Sequence, residues 1–66
     1  MKNLWDFIVE KTGFDRHVCK EVVFGLLYNG MIIDVCRKNT LMIEDVIDIR
    51  MAFDEYMLML RKERTE

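Results

Sequence analysis

Apolar residues recur along the chain in steps of three and four, and the runs break at glycines and capping residues. That pattern predicts four helices. Residues 4–11 form a short first helix. Asn3 can accept a bond from the free amides at its start, Thr12-Gly13 close it, and Trp5, Ile8 and Val9 make its apolar stripe. Asp15 is the next N-cap, and Phe14 just before it is placed to pack on Cys19 as a hydrophobic staple. The second helix runs over 16–28 and stops at Asn29-Gly30, residues that tolerate the left-handed conformation of a helix end. A third short helix covers 31–38 and ends at Asn39-Thr40. The last spans about 42–64, with Val46, Ile49, Phe53, Tyr56 or Met57, and Leu60 on one side. Glu44, Asp45 and Asp48 occupy its first turns, and Arg61, Lys62 and Arg64 its last, a placement that complements the helix macrodipole. No segment alternates in the manner of a strand. The predicted fold is all-α, a compact bundle of about four helices forming one domain over residues 1–66.

The second helix departs from a single stripe. At about 100° per residue, Cys19, Val22, Val23 and Leu26 cluster on one side, while Arg16, Lys20, Phe24 and Tyr28 follow another line roughly 130° away. Two readings are open. If the first and third helices pack on different sides of the second, both rings are core. If they do not, a face that is basic at one end and aromatic at the other can meet an anionic group and a flat ring. Gly25 bears on the same face, because a mid-helix glycine costs about 1 kcal/mol relative to alanine. Such a glycine marks a close approach to the backbone or a bend.

Arg16, Lys20, Phe24, Gly25 and Tyr28 resemble, in order and spacing, the O-helix motif of family A DNA polymerases, the bacterial polymerase I group. In that family the helix belongs to the fingers and closes over the incoming nucleotide. The resemblance implies triphosphate contacts at Arg16 and Lys20, an aromatic beside the base at Phe24, and a template-side residue at Tyr28. Asn39, Glu44, Asp45 and Phe53 fall loosely where the family's next fingers helices carry similar residues. The likeness is strong only over 16–28. The family follows its tyrosine directly with glycine, whereas Asn29 here separates Tyr28 from Gly30.

Composition narrows the chemistry. The 66 residues carry 10 Lys+Arg against 12 Asp+Glu, a net charge of -2, which argues against free nucleic-acid binding and a helix-turn-helix role. No run reaches the ~18–20 apolar residues that span a bilayer, and the start has no long apolar leader, so an intracellular, reducing location is expected. Cys19 and Cys36 are too few for a disulfide scaffold and lack zinc-site spacing, and they read as reduced buried thiols. His17 and Cys19 stand two apart on a helix and do not face each other. Asp54-Glu55 point about 100° apart mid-helix and read as solvated charges. No palm carboxylates of the kind that hold two catalytic metal ions are present. No catalytic residue, metal or cofactor is expected, and the isolated chain is read as non-enzymatic.

Apolar residues make up 52% of the chain, above the ~45–50% of ordinary domains. A domain this small buries only about 60% of its unfolded surface, so apolar surface is left for a partner to cover. The last helix is apolar nearly all round from Tyr56 to Leu60, and Tyr56, Met57, Met59 and Leu60 are the expected partner-binding surface. The expected function is protein–protein contact, by self-association or docking on a larger protein. The alternative is a detached fingers element that contacts nucleotide only with a separate palm subunit. A small protein of this kind suits a virus or mobile element.

Overall fold

A computed structural model describes residues 3–28 and 30–65, with side chains through residue 63. It shows four α-helices and, among the described residues, no strand: α1 Leu4–Thr12, α2 Arg16–Leu27, α3 Ile32–Asn39 and α4 Ile43–Thr65. The all-α bundle read from periodicity is the observed fold, with helix ends shifted by one residue at most. Asn29 of the expected helix stop and the Arg64 side chain lie outside the described residues.

The first turn is locked from both ends. Asn3 Oδ1 accepts from the Asp6 amide at 2.9 Å, while its Nδ2 donates to Asp6 Oδ2 at 3.0 Å. Gly13, at φ 79°, closes α1 by donating its N–H to the Val9 carbonyl at 2.8 Å, a conformation that favours glycine. Thr12 Oγ1 donates to the Ile8 carbonyl at 2.8 Å and accepts from the Phe14 amide at 3.3 Å. This bonding fixes the α1–α2 turn from its α1 side. Asp15 stands in the N-cap position but, contrary to expectation, its side chain caps nothing. Phe14 does pack against the core cluster that contains Cys19.

The core is made by three helices. Ile8 of α1, Cys19, Val22 and Val23 of α2, and Val46, Ile49 and Ala52 of α4 form one buried cluster. Ile8, Val22 and Ile49 are fully buried, a state that stabilises by about 1.5–3 kcal/mol per side chain. Trp5, Val9, Leu26 and Phe53, expected in the core stripes, are half-buried against its edge. Ala52 joins the core although its small side chain carried no stripe signal. α4, at 23 residues or about 34 Å, runs most of the 41 Å long axis of the molecule.

α3 is attached differently. It has no buried residue, and it packs principally on α2. The two approach at Gly25, where an added Cβ would stand 3.1 Å from Ile32 Cδ1. Gly30 comes closer still: its amide donates to the Gly25 carbonyl at 2.8 Å, and a Cβ there would meet Gly25 Cα at 2.8 Å. The close approach implied by the mid-helix glycine is therefore made by the chain's own α3 and the turn leading into it. α3 ends at Thr40, whose φ of 55° is left-handed, and its amide donates to the Arg37 carbonyl at 3.4 Å.

Candidate functional site

Phe24 and Tyr28 face outward, at 46% and 74% exposure, and so are not core residues. They belong to a ring ladder across α1 and α2. Trp5 meets Phe24 edge to face, with centroids 5.5 Å apart, and Phe24 lies 6.0 Å from Tyr28. Lys20 Nζ sits 5.8 Å from the Trp5 ring centroid, within cation–π reach. Arg16 Nη1 lies 3.5 Å from Asp6 Oδ1. The four residues of the basic-aromatic line therefore share one surface, but both cations already have partners in the first helix. Asp6, a carboxylate, is an unfavourable neighbour for a triphosphate.

Below this line lies a polar clasp between α2 and α3. Glu21 contacts His17 Nε2, accepts from Lys38 Nζ at 3.3 Å and accepts from Asn39 Nδ2 at 3.4 Å. Partial burial works to raise the Glu21 pKa, but the Lys38 and Asn39 hydrogen bonds and the Lys38 and His17 charges outweigh it. The carboxyl ends below the ordinary glutamate value. Asn39 also donates to the Val35 carbonyl at 3.0 Å, so it secures the end of α3. Asp45 Oδ2 accepts from the Met42 amide at 2.8 Å and acts as a cap, while Glu44 is exposed and Phe53 half-buried.

The remaining candidate chemistry is dispersed. Asp54 pairs with Arg50 at 3.4 Å and Glu55 with Lys11 at 3.5 Å, both on the surface. Cys19 and Cys36 are free thiols, the first buried and the second half-buried. Burial is the main cause that raises the Cys19 pKa, against a smaller lowering by its hydrogen bond to Thr12. Among the described residues no cluster of three His, Cys, Asp or Glu could hold a metal ion. No helix among them is long and apolar enough to cross a membrane.

The apolar end of α4 needs one correction. Tyr56 is only 8% exposed, because its ring packs 5.4 Å from that of Phe7 at the α1–α4 contact. It belongs to the interior, not to a partner-binding surface. Met57 and Leu60 are half-buried, and Leu58 and Met59 are exposed.

Sequence reasoning missed a larger feature. Ile43, Ile47, Met51 and Leu58 are between 49% and 63% exposed. At about 100° per residue they form a second stripe on α4, roughly 170° from the buried Val46, Ile49, Ala52 and Tyr56. The signal was present in their steps of four, four and seven, but the stronger inner stripe masked it. At the α3–α4 corner the stripe opens into an apolar groove lined by Ile33, Cys36, Leu41 and Met42 as well as Ile43. Along the helix it is flanked by the α2–α4 groove of Leu27, Phe53 and Arg50, which borders the stripe at Asp54. On the other flank lies a shallow hollow against α1, bounded by Lys11, Asp48 and Glu55.

Comparison adds no relative: no protein-family profile, curated protein or solved structure matches the chain.

Proposed function

We propose that the chain is a non-catalytic helical module that works by protein–protein contact, with the outer stripe of α4 as its contact surface. The decisive observation is that α4 is apolar on two nearly opposite sides while only one of them faces the domain core. A helix with two apolar sides requires two coverings. Ile43, Ile47 and Met51 make a near-continuous strip that solvent covers poorly. The test is to bind an environment-sensitive apolar dye to the folded protein and to compare an Ile47→Lys/Met51→Lys variant. Dye fluorescence should fall by at least half with the far-UV helical signal unchanged. If the folded protein leaves the dye dark, the contact role is wrong.

The exposure of Phe24 and Tyr28 supports a second reading, that the α2 face is a fingers-like element acting with a separate palm-bearing polymerase subunit. In that reading Arg16 and Lys20 exchange Asp6 and Trp5 for phosphate oxygens, Phe24 stacks on the base and Tyr28 borders the template. A nucleoside triphosphate titrated into isotope-labelled protein should then shift the Arg16, Lys20 and Phe24 resonances. Unmoved resonances at millimolar nucleotide would remove autonomous binding.

A further inference from the structure

We infer that the occupant of the outer α4 stripe is the same stripe of a second copy, packed antiparallel. This rests on the contact reading above and names its partner. Three observations point to a copy of this chain and not to an unrelated protein.

The first is spacing. An antiparallel pair centred between Ala52 and Phe53 places Ile47 opposite Leu58 of the second copy, because 47 and 58 lie equally far from that centre. Met51 packs across the middle. Ile43 meets the apolar stem of the last turns, at the mouth of the corner groove.

The second is the charge at the two ends. The first turns of α4 are acidic, with Glu44 and Asp48 exposed, and its last turns carry Arg61 and Lys62. Antiparallel packing brings Glu44 alongside Lys62 of the second copy and sets the two helix dipoles antiparallel, the positive end of each beside the negative end of the other. Parallel packing would stack acid on acid at one end and base on base at the other.

The third observation is the charge at the centre. Asp54 lies within the stripe, and Arg50 one turn earlier is its partner at 3.4 Å. In the antiparallel pair Arg50 of each copy falls beside Asp54 of the other. The polar group that interrupts the apolar strip is therefore matched by the same two residues related by a two-fold axis. A strip of about 34 Å by about 10 Å covers roughly 350 Å² per copy, below the ~800 Å² of a standard interface. The dimer is thus weak and forms at high protein concentration.

Charge variants test this directly. In sedimentation over ~10 µM to ~1 mM the natural chain should pass from monomer toward dimer. Arg50→Glu places Glu beside Asp54 across the axis, and Asp54→Arg places Arg beside Arg50, so each variant alone should dimerise at least ~tenfold more weakly. Mixed one to one, the two should recover dimer, because every crossed pair is then opposite in charge. Far-UV spectra of each variant confirm that the fold is kept. A natural chain that stays monomeric at ~1 mM, or variants that the mixture does not rescue, overturns antiparallel self-pairing. If it stays monomeric yet binds the apolar dye through Ile47 and Met51, only the choice of partner fails. If it binds no dye either, the contact function fails with it.

Discussion

α4 and α3 occupy opposite extremes of this small domain. α4 presses Val46, Ile49 and Ala52 into a core shared with α1 and α2, whereas α3 contributes no buried residue. α3 adds Ile32, Val35 and Cys36, half-buried against that core, and is otherwise held by shape and polarity: Gly25 within α2 and Gly30 in the α2–α3 turn allow the close approach, and Glu21 draws in Lys38 and Asn39. The lesson is that the four helices are held by different balances of force. Full hydrophobic burial fixes a three-helix core, whereas partial burial of Ile32, Val35 and Cys36, close backbone fit and one carboxylate clasp fix the fourth helix. Elements with few buried apolar contacts open at lower free energy than the core, so α3 is the expected first element to exchange its amide hydrogens.

The largest effect should come from the core side. Ile49→Ala removes a fully buried side chain and should cost about 2–5 kcal/mol, enough to unfold much of a domain this small. Ile47→Ala, two residues away on the outer stripe, should change monomer stability by less than about 0.5 kcal/mol. Urea unfolding of both variants below the dimerisation range measures the contrast, and equal costs would collapse the distinction between the two sides of α4.

An intermediate effect is expected where α3 is joined. Gly30→Ala forces a Cβ to within 2.8 Å of backbone at Gly25, so the turn must shift, at about 1–3 kcal/mol. Gly25→Ala meets the movable tip of Ile32 at 3.1 Å, with Val35 Cγ2 at an ordinary 3.9 Å, and gains about 1 kcal/mol of helix propensity, so the two terms nearly cancel. Amide exchange should show α3 protection lost in the Gly30 variant and kept in the Gly25 variant.

The smallest effect is the pH response of the clasp. The Glu21 pKa is lower folded than unfolded, so its contribution is present above the unfolded value and is lost as pH falls through the folded one. Acid should therefore loosen α3 before the core. Glu21→Gln should remove this acid sensitivity while leaving Ile49 protection unchanged, as amide exchange between neutral and acid pH would show. An α3 whose acid response survives that substitution would assign the clasp to other groups.

Much of the fold was legible because helices of this length declare themselves locally. Asn3, Gly13 and the steps of three and four through Ile8, Val22 and Ile49 each carry their structural consequence within one or two turns. The α2 face was legible as a line of residues at four-residue spacing, though not in its state. That Arg16 would meet Asp6 and Lys20 would cover Trp5 depends on how α1 crosses α2, which no local pattern specifies. Tyr56 was misplaced for the same reason: its burial comes from Phe7, forty-nine positions earlier in the chain. Gly25 announced a close approach without naming what approached.

The order of residues by itself determined four helices, their ends to within one residue and the inner apolar stripes of α1, α2 and α4, since these follow from backbone bonding and side-chain period within a few residues. Tertiary structure alone decided that the second apolar side of α4 is left uncovered and that Tyr56 turns inward against Phe7. The core has room for one side of that helix, and burial against α1 and α2 selected Val46, Ile49 and Ala52, leaving Ile43, Ile47, Met51 and Leu58 facing water.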